Sequence, residues 1–120
     1  MKTNRIERTA KYFHVAHREG KRYEGAPVEY RPKNLEEAYA AQDRFLELSS
    51  SGSLSVAGYK IAVTSQVIQQ LVGLSHPCLG TIRGGSVHAS PARLAESGFH
   101  HVAVECEIAF TLKNPLLPVR

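Results

Sequence analysis

From Ile6 onward, Ile6, Ala10, Phe13 and His17 recur at helical spacing, while Arg5, Arg8, Lys11 and Arg18 fall mostly off that line. The pattern predicts an amphipathic helix that Gly20 stops. Gly20, Gly25, Pro27 and Pro32 then predict a loop. Asn34 is placed to cap a second helix: Glu37 follows three residues later, Leu35, Ala38, Phe45 and Leu46 give it apolar positions, and Ser49-Ser50-Ser51-Gly52 ends it. After Gly52 the period changes. Leu54, Val56, Tyr59, Ile61 and Val63 predict a strand containing one charge, Lys60. Thr64 or Ser65 caps a short helix through Val67, Ile68 and Leu71, with Gly73 as its stop. Beyond Pro77 the chain is turn-rich, broken by Gly80, Gly84, Gly85, Pro91 and Gly98. A final strand is predicted over His100 to Leu112, ended by Asn114-Pro115-Leu116-Leu117-Pro118, whose prolines have no N–H to donate to a ladder.

Composition adds scale. A chain of 120 residues with 42% hydrophobic and 22% charged content suits one domain, or part of one. The ends of the elements contain no run long enough for a domain linker, and there is no internal repeat. Fifteen Lys and Arg against eleven Asp and Glu leave a charge of +4, with much of the excess before Asn34. Such an arm is either a solvated helix face that draws in anionic substrates or a contact for nucleic acid or anionic lipid. Cys78 and Cys106 form no CxxC pair, which fits reduced thiols in a cytoplasmic protein. The first residues carry Lys2, Arg5 and Arg8 without an apolar signal-peptide run, Glu7 and Glu19 argue against a transit peptide, and no stretch is long enough to span a bilayer. His14 and His17, three apart, can share a metal, but no cysteine or carboxylate pattern of zinc type accompanies them.

Strand parity brings in chemistry. In the final predicted strand Val102, Val104, Cys106, Ile108 and Phe110 share one face, which belongs in a core. Ala103, Glu105, Glu107, Ala109 and Thr111 share the other, setting two carboxylates side by side between small residues. A hard divalent cation such as Mg2+ or Mn2+ would relieve their repulsion and prefers oxygen ligands. The alternative is a wet strand face on which two glutamates alternate. Lys60 is equally two-sided: either a partly buried cation that stabilises negative charge developing on a substrate, or an ammonium carried to solvent on its apolar stem.

Several segments together resemble a family. Glu36-Glu37-Ala38-Tyr39-Ala40-Ala41-Gln42, Gly58-Tyr59-Lys60-Ile61-Ala62-Val63-Thr64-Ser65, Gln69-Gln70-Leu71-Val72-Gly73, Pro77, Gly80-Thr81 and Val104-Glu105-Cys106-Glu107-Ile108-Ala109-Phe110 are similar, in order and spacing, to the 2-oxopent-4-enoate hydratases and their 4-oxalocrotonate decarboxylase relatives. Those enzymes belong to the fumarylacetoacetate hydrolase superfamily, and the resemblance spans roughly residues 34 to 113. It implies an α+β fold, with N-terminal helices packed on part of a mixed β catalytic body. Residues 1–33 would form a basic helical arm and loop, and residues 34–120 the N-terminal part of a hydratase-like domain, one truncated domain overall.

The resemblance also implies Mg2+ or Mn2+ held by three glutamates. Glu105 and Glu107 match two of them, and the third lies in the family beyond the residues present here. Lys60 matches the family lysine, which orients the substrate, stabilises enolate charge or passes a proton. The implied reaction is addition of water to a 2-oxo or dienol acid to give a 4-hydroxy-2-oxo acid. Decarboxylation of a 2-oxo acid and a catalytically inactive interaction module are the alternatives. A homo-oligomer is expected, without membrane or nucleic acid as partner. Two departures stand out: Cys78 occupies the turn position where the family usually carries an aspartate for proton transfer, and Arg83-Gly84-Gly85-Ser86 differs from the family's acidic and aromatic loop.

Overall fold

The computed structural model describes residues 2–50 and 54–115. Its helices are α1 (Lys2–Arg18), α2 (Leu35–Ser49) and α3 (Gln66–Val72), and its strands are β1 (Val56–Ala62) and β2 (Cys78–Arg83). Single 3-10 turns lie at Val28–Tyr30, Gly84–Ser86 and Glu96–Gly98. The predicted stops at Ser51-Gly52 and beyond Pro115 lie outside the described residues.

The helices form where capping chemistry placed them. Asn34 adopts extended backbone and its side chain accepts the Glu37 N–H at 2.9 Å, satisfying one of the donors left free at a helix start. The Glu37 carboxylate reaches back to the Lys33 N–H at 3.0 Å rather than to that of Asn34. Ser65 caps α3 by accepting from Ile68 N, and Gly73 closes it with φ +73°, a left-handed conformation that glycine adopts without a Cβ penalty.

The core lies between α1 and α2 and is made largely of small side chains. Thr9, Ala10 and Ala16 of α1, Ala26 of the loop, and Ala41 and Leu46 of α2 are buried. Alanines let the two helices approach closely, so contact area comes from backbone proximity rather than from bulky side chains. Thr9 donates its hydroxyl to the Tyr30 carbonyl, and the Arg8 guanidinium lies 4.4 Å from the centre of the Tyr30 ring. Arg44 of α2 holds the Glu7 carboxylate of α1 through two bonds of 2.6 and 3.3 Å. Leu35, expected on the apolar stripe, is exposed, because the buried face of α2 runs through Glu37, Ala41 and Leu46.

Among the described residues the sheet has two strands, β1 and β2, paired antiparallel with Ile61 opposite Leu79, Lys60 opposite Gly80 and Ala62 opposite Cys78. The turn-rich reading after Pro77 therefore missed a strand. Gly80 at its middle and the absence of strict alternation concealed β2, although Leu79, Thr81 and Ile82 are strand-compatible residues.

The predicted strand over His100 to Leu112 is not found as such: residues 102–112 join no ladder. Its apolar side is likewise not a core here, with Val104 88% and Phe110 85% exposed. Alternation in sequence reports which side chains share a face; it does not supply a partner strand, and neither described strand pairs with this segment. Among the described residues, no helix is long and apolar enough to cross a membrane.

Candidate functional site

Lys60 sits in the middle of β1, and its surroundings follow from antiparallel parity. Residues directly opposite one another project to the same side, so Gly58, Lys60 and Ala62 of β1 share a face with Cys78, Gly80 and Ile82 of β2. Around the lysine this face is built from small residues. Gly80, opposite Lys60, has no side chain, and a Cβ built there would find only the Lys60 carbonyl oxygen, at 3.9 Å. The other face presents Tyr59 and Ile61 largely to solvent, whereas Gly58, Lys60, Ala62, Cys78 and Gly80 are half-buried.

Over Lys60 lies the acidic segment. Its ammonium donates to Glu105 Oε2 and to Glu107 Oε1, each at 2.8 Å. The two carboxylates therefore reach the same point, although the segment is not in the sheet. Hydrogen bonds and charge from Glu105 first, then Glu107, push the Lys60 ammonium well above the usual lysine range. Lys60 correspondingly holds the Glu105 carboxyl below its ordinary value. The three side chains remain partly open, with relative exposures of 42%, 69% and 51% for Lys60, Glu105 and Glu107. Exposed pairs of this kind contribute little to stability.

Glu105 and Glu107 could supply two of the oxygen ligands that a hard divalent cation takes; in the structure both carboxylates are bonded to the Lys60 ammonium. Two carboxylates leave much of an octahedral shell to water, substrate or other ligands. Among the described residues, no group of three or more His, Cys, Asp or Glu side chains comes together in a way that could hold a metal ion. His14 and His17 are committed separately, His14 Nδ1 to Ser49 Oγ at 3.1 Å and His17 Nδ1 to the Tyr23 hydroxyl at 2.9 Å.

Cys78 begins β2 as the diagonal neighbour of Lys60 on the same face, a relation that in ordinary antiparallel pairs separates residues by roughly 7–8 Å. Its thiol is half-buried, while Cys106 is exposed. Arg83 and the 3-10 turn at Gly84–Ser86 follow at the other end of β2.

Two positioning residues carried no assigned role in the sequence reading. Tyr39 and Gln42, three apart on α2, grip the outer edge of β2: Leu79 N donates to the Tyr39 hydroxyl at 3.0 Å, and Gln42 Nε2 donates to the Leu79 carbonyl at 3.2 Å. Both lie in the Glu36–Gln42 segment, and helical spacing puts them on one face. At the end of β1, Val63 adopts φ +59°, a costly conformation for a β-branched residue, and its carbonyl accepts from Gln69 Nε2 at 3.0 Å. That bond ties the turn after the lysine strand to α3.

No family model and no solved structure matches the chain. Among curated proteins it is similar to 2-oxo-hept-4-ene-1,7-dioate hydratase of Escherichia coli, 27% identical over 89 residues, which are 74% of this chain and 33% of the relative. It is 32% identical over 83 residues to 2-keto-4-pentenoate hydratase of Paraburkholderia xenovorans (strain LB400), covering 69% of this chain and 31% of the relative. With 2-hydroxypent-2,4-dienoate hydratase of Pseudomonas putida the identity is 33% over 85 residues, 70% of this chain and 38% of the relative. The chain thus spans about a third of the length of these relatives. At about 30% identity over about 70% of its length, the chain is a distant relative of hydratases named for unsaturated oxo and dienoate acids.

Proposed function

We propose that this chain carries the lysine and two metal-ligating carboxylates of a divalent-metal-dependent hydratase, which converts a 2-hydroxy-dienoate or 2-oxo-alkenoate into a 4-hydroxy-2-oxo acid in aromatic-compound catabolism. The observation that carries the reading is the convergence of Lys60, Glu105 and Glu107 on one point above a floor of small residues. The names of the curated relatives support the reaction class.

In this reading Glu105 and Glu107 hold Mg2+ or Mn2+, with a further ligand from outside the described residues. The chemistry that ion supplies is charge stabilisation on the carboxylate and 2-oxo oxygens of the substrate. The Lys60 ammonium, bonded to both carboxylates, is placed to act as a cationic donor. Its part is to orient the anionic substrate and to stabilise enolate charge. Gly58, Ala62 and Gly80 keep the space beside it open for a small planar acid. Cys78, on the same face, puts a thiol where the resemblance places a carboxylate for proton transfer.

Decarboxylation of an acid such as 4-oxalocrotonate would use the same lysine and carboxylates and would depend less on a proton carrier at Cys78. Among the described side chains of the arm, a basic interaction module would draw mainly on Arg18 and Arg22, because Arg5 pairs with Glu37, Lys11 with Glu7 and Lys21 with Glu19, while Arg8 covers Tyr30. Val104, Ile108 and Phe110 are exposed, and a homo-oligomer would cover them.

The test is product analysis on protein expressed from its own gene, with one dienol acid and one oxalocrotonate-type acid as substrates. Hydration predicts a 4-hydroxy-2-oxo acid from the first, and Lys60→Met should lower kcat/KM by about two to three orders of magnitude. Carbon dioxide release from the second acid without hydration of the first would favour decarboxylation, and turnover of neither would reject the enzyme reading.

A further inference from the structure

A cleft of about 920 Å³ opens between the C-terminal end of α1 and the turn at 98–101, away from Lys60. Its size is that of a small-molecule pocket. His17, Lys21, Arg22, Tyr23, Phe99 and His100 line it, and Gly20 shapes it. Gly20 turns the chain with φ +70°, and a Cβ there would come within 3.3 Å of the His100 ring, so a side chain at this position would push His100 and narrow the cleft. The Tyr23 hydroxyl engages His17 Nδ1 at 2.9 Å, leaving Nε2 of that ring for another partner. The His100 ring stands edge-on to His17 at 6.0 Å and to Tyr23 at 6.5 Å.

The charge of this lining is one-sided. Among the described residues no carboxylate lines the cleft; Glu19, at its flank, holds Lys21 at 2.6 Å. Among the described residues Arg22 has no carboxylate partner. Tyr23 and Phe99 are about half exposed, 49% and 48%, and offer aromatic surface beside those cations. A guanidinium fork binds a carboxylate through two parallel bonds, and aromatic side chains suit a flat apolar body.

We propose that this cleft binds a small aromatic carboxylate, with Arg22 taking the carboxylate and Tyr23 and Phe99 flanking the ring. The site is separate from Lys60, Glu105 and Glu107, and it does not depend on the hydratase reading. Protonation supports it. His17 is held below the usual histidine range by burial first, then by the positive charge of Arg83, His100 and His14. The other groups about this ring are Tyr23, which bonds it, Phe45, which meets it edge-on at 6.0 Å, and the Lys21 and Arg22 cations of the same cleft. A bound anion offsets that positive surround and raises the His17 value, so binding takes up protons and tightens as pH falls through the histidine range.

The experiment is a benzoate titration of the 120-residue chain, followed by the ring-proton NMR signals of His17 and His100, with inorganic phosphate as the second arm. Expected are saturable shifts at both rings, at least threefold tighter binding at pH 6 than at pH 8, and at least fivefold weaker binding in Arg22→Ala. Arg93→Ala, a cation outside the cleft lining, should leave the affinity within twofold. Absence of saturable shifts, or an Arg22→Ala affinity equal to wild type, would overturn the proposal. So would phosphate binding as tightly as benzoate, because charge alone would then account for the site.

Discussion

The link between α2 and the sheet gives the most local prediction. Leu79 lies between Cys78 and Gly80 on the outer edge of β2, and its N–H and C=O are taken by Tyr39 and Gln42 rather than by β1. Tyr39→Phe keeps the ring and removes only the acceptor of the Leu79 N–H. A hydrogen bond of this kind contributes about 0.5–1.5 kcal/mol net. Because Leu79 is partly exposed, water replaces the lost partner, which places the cost toward the lower half of that range. With tenfold corresponding to about 1.4 kcal/mol, the Leu79 amide should exchange with solvent about two- to fivefold faster. Residue-resolved hydrogen exchange measures this directly, with amides inside α2 as the internal reference. Gln42→Ala should loosen the same edge from the carbonyl side, and the two substitutions together should exceed either alone. An unchanged Leu79 exchange rate in Tyr39→Phe would refute the link and leave β2 positioned by β1 alone.

Three further outcomes follow from the helices. Asn34→Ala should destabilise the chain by about 1 kcal/mol by removing the cap on Glu37 N, and Asn34→Asp should restore most of it; urea unfolding of the three proteins checks this. Leu46→Ala, at a buried position between α1 and α2, should cost about 2–4 kcal/mol in the same assay. The Glu7–Arg44 pair gives a pH dependence. Arg44 first, then Lys11, lowers the Glu7 carboxyl to about 2 from an ordinary 4.5, so its contribution is fully present above the ordinary value and lost as pH falls toward 2. The Tm difference between wild type and Glu7→Gln should accordingly be constant above about pH 5.5 and shrink below 4.5; a pH-independent difference would contradict the assignment.

The helices were legible because their signals are local. Asn34, Ser65 and Gly73 act within one turn of their own position, and each does in the structure what its residue type permits. The strands were harder. β1 carries β-prone residues around Lys60, whereas β2 has a glycine opposite that lysine, and pairing across a loop leaves no mark at either strand alone. The His100 to Leu112 segment shows the limit most clearly. Glu105 and Glu107 both reach the Lys60 ammonium, but the alternation cannot say that the segment lacks a ladder or that Val104 and Phe110 are uncovered. Lys60 itself was ambiguous between solvent and site. The two 2.8 Å contacts add what the sequence could not, because they join Lys60 to residues 45 and 47 positions away that no local rule connects.

Mn2+ binding by the wild type and by the Glu105→Gln, Glu107→Gln double variant, followed by the loss of the free-ion paramagnetic resonance signal, tests the central claim most directly. Both side chains are more than half exposed, so the neutral replacements leave the helical core untouched. The account predicts saturable binding by the wild type and at least tenfold weaker binding by the double variant. Equal affinity in the two proteins would contradict it and leave Lys60, Glu105 and Glu107 as a surface ion cluster.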